Sequence, residues 1–131
     1  MSTYSGDGIN LTLSASGDLN AKQYYFVALT SDRKVLGANG ASNPSPIGVL
    51  QNDPRDGEAA NVRVGGTSLL WIDPTTAVNV GTPLVSGSTG MGRPGNSASA
   101  ISAIALEAVA AGATPVLKEV LVLPFSHTSA S

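Results

Sequence analysis

A pattern of strand, connector and strand occurs twice in this chain and limits the folds that are open to it. The first copy spans residues 46–64 and the second spans residues 103–124. Each copy begins with a short apolar run that ends in a leucine, at Leu50 and at Leu106. Each then reaches a glycine and closes with the alternation of a half-buried strand. Neither copy carries a cluster of reactive side chains, which favours a structural or binding protein over an enzyme.

Charged side chains are unusually scarce. Asp, Glu, Lys and Arg make up 12% of the 131 residues, whereas about a quarter is usual in a globular domain. Ser, Thr, Asn and Gly must therefore cover much of the surface, and the mean hydropathy is slightly positive at +0.15. An independent monomer normally keeps more charge for solubility. We therefore expect part of the surface to be buried against copies of the chain or against a larger partner.

Composition also argues against several classes of protein. A formal charge of −2 gives no electrostatic reason to expect a nucleic acid or an anionic membrane as partner. The chain has no cysteine, so it has neither disulfides nor a thiol nucleophile, which fits a reducing compartment. No apolar run approaches the roughly 18 residues of a membrane span, and the start lacks the regions of a secretory signal. We expect one soluble domain of residues 1–131 that is not exported.

Short strands separated by turn residues account for most of the chain. A flexible arm at residues 1–8 precedes a strand in which Ile9, Leu11 and Leu13 alternate with polar residues. The most β-prone run is residues 23–29. Further strands are predicted at Val35-Leu36, Ile47–Leu50, Val62–Val64, Ser68–Ile72, Val78 with Val80, Pro83–Val85 and Val120–Phe125.

The predicted fold class is all-β with little helix, in the form of a compact small barrel or sandwich. The two copies of the repeated pattern are expected to form opposite walls of one barrel. Residues 86–100 are rich in Gly and Ser and predict a long mobile loop. Pro124 is expected to stop the last strand, and residues 126–131 to form a polar tail.

Residues 97–111 allow two interpretations. Apolar residues from Ile101 to Val109 recur at helical spacing, and Gly112 stands where a glycine often follows a helix. The matching part of the first copy predicts a strand instead. We expect a strand near 101–106, followed by a helical turn or short helix to Ala111.

No arrangement of residues predicts catalysis. His127, the only histidine, lies in the polar tail, where nothing would orient it as a base. Asp53, Asp56 and Glu58 form a local acidic cluster without the ligand spacing of an EF-hand, and Arg55 within it favours a simple turn. We therefore predict no catalytic residue, no metal site and no cofactor.

Two glycine-rich segments resemble phosphate-binding loops only in composition. They are Gly65–Thr67 and Gly87–Gly92, and neither has the following helix that a phosphate loop requires. Flexible loops explain both segments better. Arg93, beside the second one, is a candidate contact with a partner.

The aromatic residues lie in or beside predicted strands, and a core position is the default for each. Alternation places Tyr24 and Phe26 on one face and Tyr25 and Val27 on the other, so both faces should be covered. The alternative is that Tyr24, Tyr25 or Trp71 is exposed and stacks on a carbohydrate or a peptide.

Several segments together resemble a known family. The order is Leu19–Tyr25, Pro46–Asn52, Asp56–Ala60 with a Val-x-Val strand, Val80–Leu84, and Ile104–Ala108 followed by Gly112 and a closing strand to Pro124. This order, over residues 18–125, resembles the small capsid cement, or head decoration, proteins of tailed bacteriophages. The loop at 86–100 is longer than in that family, and Ala103-Ile104 replaces its usual glycine in the second copy.

The resemblance implies a β-rich, non-catalytic protein on the outer surface of a virion, made in the host cytoplasm. Its partner would be the major capsid protein, with neither nucleic acid nor membrane involved, and the family commonly forms homotrimers at local three-fold positions. The N-terminal arm, Ser2–Asn10, would anchor it by strand addition. Tyr4, Ile9 and Arg93 are the predicted partner-binding residues. The alternative function is a small β-barrel module that binds carbohydrate or peptide.

Overall fold

A computed structural model describes residues 8–39, 46–95 and 101–127, with the backbone alone for 124–127. Within these ranges the chain forms strands and no helix, which confirms the all-β prediction. The strands are β1 (Gly8–Ser14), β2 (Phe26–Leu29), β3 (Val35–Gly37), β4 (Pro46–Leu50), β5 (Ala59–Ile72), β6 (Pro83–Ser86), β7 (Gly92–Pro94), β8 (Ile101–Ala105) and β9 (Val116–His127).

Five strands close into a barrel. The second half of β5 pairs with β9, which pairs with β8, then β6, then β7. The ring closes where β7 meets β5 in parallel at Ile72 and Gly92. A Cβ atom on Gly92 would lie 2.6 Å from Leu70 Cδ2, so any other residue at this position would displace a side chain of the barrel core. The barrel encloses one core, which consists mainly of Leu70, Ile72, Leu84, Ala103, Ala105, Val120 and Val122, with Phe26 and Val49 from the neighbouring sheet.

The first half of β5 belongs to a second unit, a curled sheet in the order β1-β5-β4-β2-β3. Its concave face holds a separate core, which consists of Ala15, Leu19, Val27, Val35, Leu50, Ala60 and Val62. The curl brings β1 round to β3, where Ala15 bridges Val35 and the Ser16 amide donates to the Val35 carbonyl at 2.7 Å. Phe26 faces the barrel core and Val27 faces the sheet core, as strand alternation predicts.

Strand β5 is continuous through the segment that was expected to be a glycine-rich loop. Val62–Val64 and Ser68–Ile72, predicted as two strands, are parts of one 14-residue strand. Gly66 has a φ of 99°, a backbone conformation open to glycine at little cost. It pairs with Gly8 on one side and Val122 on the other. The glycines bend the strand from the sheet into the barrel, so the prediction of a flexible loop was wrong.

Other local predictions also need correction. Strand β2 begins at Phe26 rather than at residue 23, because Tyr24 has a φ of 66° and lies in a turn. Residues 106–111 form an extended loop rather than a helical turn, with Val109 bridged to Val78. Within the predicted mobile loop at 86–100, residues 92–94 form β7, which pairs with β6. Residues 96–100 lie outside the described ranges.

Pro124 does not stop the last strand. The pairing of β9 with β8 steps from Val122 opposite Ala103 to His127 opposite Ile101. Residues 123–126 therefore lie opposite a single residue of β8, in a bulge where ladder bonds are interrupted. Proline lacks the amide that a ladder requires and is tolerated at such bulges.

The two copies of the sequence pattern form two hairpins, β4–β5 and β8–β9, that are neighbours rather than opposite walls. Their second strands pair with each other over seven residue pairs, from Gly66 opposite Val122 to Ile72 opposite Val116. Each hairpin has the same backbone contact at its end: the amides of Gln51 and Leu106 donate to the carbonyls of Asn61 and Glu119, at 2.7 and 3.1 Å. We call this arrangement the clasp.

The sequence pattern aligned Leu50 with Leu106, and the clasp shows that this alignment is wrong by one residue. Gln51 corresponds to Leu106, so Leu50 corresponds to Ala105, and both of these are buried. A shift of one position along a strand exchanges its two faces, which explains why Leu106 is 39% exposed while Leu50 is fully buried. The predicted turn glycines also differ, since Gly57 has a φ of 84° and Gly112 is not in the left-handed region.

Candidate functional site

The predicted partner-binding residues do not form one site. Ile9 lies in β1 and is 67% exposed, on a strand that pairs with β5 along one side only in the described part of the chain. Arg93 lies in β7 and is exposed. Tyr4 lies outside the described residues. Because β1 begins at Gly8 and β9 continues to His127, the predicted arm and tail reduce to residues 1–7 and 128–131, which the structure does not describe.

Arg93 lies in a polar corner of the barrel beside Asp73. Two shallow clefts of about 290 and 190 Å³ are lined by Arg93 and Asp73. The Asp73 carboxylate accepts hydrogen bonds from the Thr75 hydroxyl at 2.7 Å and the Thr75 amide at 3.1 Å. These bonds, with a smaller contribution from the Arg93 charge, hold the pKa of Asp73 below its usual value. The Asp73 carboxylate therefore stabilises a turn, and its hydrogen bonds do not place it as a base for proton transfer.

The acidic cluster forms a turn, as predicted. The Arg55 amide donates to Glu58 Oε1 at 2.8 Å, and the Gly17 amide donates to Asp56 Oδ1 at 2.9 Å. The Leu19 amide donates to the Pro54 carbonyl. These bonds tie residues 53–58 to the loop after β1. In the described ranges, no three His, Cys, Asp or Glu side chains converge in a way that could hold a metal ion.

Tyr24, Tyr25 and Trp71 are each partly buried in the described structure. Tyr24 packs against the barrel core and is partly buried. The Tyr24 carbonyl accepts the Trp71 amide at 2.9 Å, which fixes this turn on the outside of the barrel. The Lys22 ammonium lies 4.7 Å from the centre of the Tyr25 ring and covers one of its faces. No helix of the described chain has the length and apolarity to cross a bilayer.

Charge is distributed unevenly over the molecule. Nine of the sixteen charged residues lie between residues 18 and 58, in loops that meet at the end of the curled sheet. Arg33 shares a cleft there with Ser14 and Gly57. Residues 74–117, in contrast, contain only Arg93 and Glu107 as charged residues.

Two of these charge-poor loops pair with each other and form what we call the paired-loop face, residues 73–82 and 106–115. The amides and carbonyls of Val78 and Val109 exchange hydrogen bonds of 2.8 and 2.7 Å. The Gly112 amide donates to the Pro74 carbonyl, and the Gly81 amide to the Ala105 carbonyl, each at 2.8 Å. Val78 and Val109 point into the barrel core, and most of their neighbours are exposed. None of the predicted site residues lies in this face, and the scarcity of charge between residues 74 and 117 is the sequence signal that points to it.

Comparisons with known proteins give a likeness to a solved structure. No protein-family model and no curated protein sequence matches this chain. A solved structure, the crystal structure of the head fiber gp8.5 N base in bacteriophage phi29, is similar with a TM-score of 0.58 at 18% sequence identity. The alignment covers 91% of this chain and 97% of that one. At this identity the two chains share a fold over nearly their whole length.

Proposed function

We propose that this chain is a structural protein of a bacteriophage head, without catalytic activity, that binds the outer surface of the capsid. The observation that carries the proposal is the fold shared with a phage head-fibre base over nearly the whole of both chains. The motif order from residue 18 to residue 125 suggests the same class of protein independently. The finer proposal is that the chain acts as a cement protein, bound to the major capsid protein as a homotrimer.

The structure supports a role based on contact rather than chemistry. The two packed cores, and the turns whose polar groups bond to one another, are features of a scaffold that presents a surface to a partner. A cement protein stabilises a shell by burying area across the joints between capsid subunits, with many modest contacts. The exposed residues Ile9 and Arg93 are our candidates for contacts with the capsid, together with Tyr4.

The test is binding to expanded phage heads that lack decoration. The purified chain should sediment with the heads, saturate at a fixed number of copies, and raise the temperature at which the heads rupture, because a ligand stabilises the state to which it binds. Deletion of residues 1–7 leaves β1 intact, so reduced occupancy by this variant would identify those residues as an anchor. A folded chain that does not bind heads would overturn the proposal.

A further inference from the structure

We infer that the paired-loop face is the surface through which copies of this chain contact one another. The inference deepens the proposed function, because it rests on the homotrimer in that proposal and assigns the surface that would form it. The face is ordered before any contact is made: the bonds between Val78 and Val109, and from Gly112 to Pro74, hold its two loops together. A preorganised surface loses little conformational entropy on association.

The chemistry of the face is that of an interface core. Val80 is 67% exposed and Leu106 is 39% exposed, and the Gly81 to Ala105 hydrogen bond places them side by side. Among the other exposed residues of the face, most are small and uncharged, namely Ala77, Gly81, Ala108, Ala110, Ala111, Gly112, Ala113 and Pro115, and the rest apart from Glu107 are uncharged polar residues, namely Thr75, Thr76, Asn79 and Thr114. Exposed apolar surface of this kind marks interaction sites, and Ala, Gly and Pro have almost no side-chain entropy to lose on burial.

Glu107, the one charged side chain at the centre of the face, already has a hydrogen-bond partner and an ion-pair partner within its own chain. Glu107 Oε2 accepts the Glu119 amide at 2.8 Å, and its other oxygen lies 3.9 Å from Lys118 Nζ. Both bonds direct this carboxylate towards β9. The interface core can therefore form without an unpaired charge, the arrangement that would be most costly to bury.

Charge indicates a second copy as the occupant. In a rotationally symmetric assembly, residues near the axis meet the same residues of the other copies, so charges there would face like charges. The loops around residues 18–58 carry nine charged residues and would meet this penalty. The paired-loop face carries two charged residues, Asp73, which is bonded to Thr75, and Glu107, which is paired with Lys118. Copies of this face could therefore meet with less repulsion between like charges than copies of the charged loops.

The experiment compares two substitutions of equal exposure at different places. Val80→Lys places a charge in the paired-loop face, and Ile9→Lys places the same charge on β1, where the original residue is also 67% exposed. Sedimentation equilibrium of the full chain should show an oligomer for the wild type and for Ile9→Lys. Val80→Lys should self-associate at least about 100-fold more weakly, because an unpaired buried charge is strongly destabilising. Since the face carries few charges and Glu107 is paired within the chain, wild-type assembly should persist from about 0.1 M to about 1 M salt.

Three results would overturn the inference: a monomeric wild type, unchanged assembly of Val80→Lys, or equal weakening by Ile9→Lys. Circular dichroism and thermal unfolding of each variant establish that it is folded. Binding of the same proteins to heads is measured separately. Absence of head binding by the wild type with its assembly intact would overturn the head-binding role alone, whereas head binding by a monomeric wild type would overturn the inference and the homotrimer but leave the head-binding role.

Discussion

The barrel and the curled sheet share β5 but protect their edges in different ways. In the barrel, every strand has a neighbour on both sides, because β7 closes the ring at Ile72 and Gly92. In the curled sheet, the closing contact is limited to the bridge from Ala15 to Val35, and β1 has exposed apolar side chains at Ile9 and Leu11. A closed barrel presents its loops to partners, whereas an open sheet also presents an edge. The two regions therefore offer two different kinds of contact surface.

The largest expected effect tests whether the two cores are independent. Leu70→Ala in the barrel and Leu50→Ala in the sheet should each lower the free energy of unfolding by about 2–5 kcal/mol, because both side chains are fully buried. Since β5 runs through both cores, each variant should still unfold in a single transition. Urea titration followed by Trp71 fluorescence and by circular dichroism measures both quantities.

The control for this pair is Leu106→Ala, which removes a leucine that is 39% exposed in the paired-loop face and should cost the unassembled chain less than about 1 kcal/mol. Two separate transitions, or a variant that affects one spectroscopic signal alone, would show that the cores unfold independently.

A smaller effect is expected at the bend between the two regions. Gly66→Ala should lower the free energy of unfolding by about 1–2 kcal/mol, because the φ of 99° is unfavourable for a residue with a Cβ atom. Gly37→Ala is the matched control, since it lies in a strand with open space around the added atom and without a positive φ. Equal unfolding midpoints in urea for Gly66→Ala and the wild type would contradict the role assigned to the bend.

The clasps of the two hairpins should differ in strength. Asn52 accepts the Asn61 amide and donates to the Ala59 carbonyl, each at 3.0 Å, so Asn52→Ala should cost about 1 kcal/mol. Glu107→Ala should cost about 0.5 kcal/mol, since that clasp is exposed and its ion pair is screened. Thermal unfolding at low and high salt separates them, because only the Glu107 effect should shrink as salt rises. The reverse order would show that burial does not set the strength of the clasp.

The smallest expected effect is a pH dependence at the barrel corner. Hydrogen bonds from Thr75 lower the pKa of Asp73 in the folded state, so this group adds stability above its unfolded pKa and loses it as the pH falls through the folded value. The side chain is exposed, so the effect should be small. Asp73→Asn should flatten the stability profile in the acid range, relative to the wild type, when unfolding midpoints are compared between pH 2 and 6. A profile that is identical in the two proteins would contradict this role for Asp73.

Local patterns in the sequence identified most strands but not how they join. Alternation predicted β1 and β9, because side-chain period is a property of the strand itself, and a short apolar run predicted β4. The glycine pair in β5 was read as a loop, since nothing local shows that β1 and β9 lie on either side to bond with it. Strand β7 has no apolar alternation and is defined by its pairing with β6 and β5.

The candidate contact surfaces were predictable only in part. Alternation predicted that β1 would be half-buried, so it did not predict the exposure of Ile9. The strand is exposed along most of its length because it lies at an open edge of the sheet. The one-residue error at Leu106 arose because Glu119 follows it by thirteen positions, whereas Asn61 follows Gln51 by ten. Connectors of unequal length conceal the register of a repeat, and register decides which face a residue occupies.

The course of β5 has a mechanical consequence. A load applied to the barrel and resisted at the sheet would pass along one strand held by seven residue pairs to β1 and seven to β9, which meet at Gly66. Such a load would shear both ladders along their length instead of opening them one bond at a time. Because β5 is continuous from one core to the other, force would pass between them through strand pairing and not through the stretching of a linker.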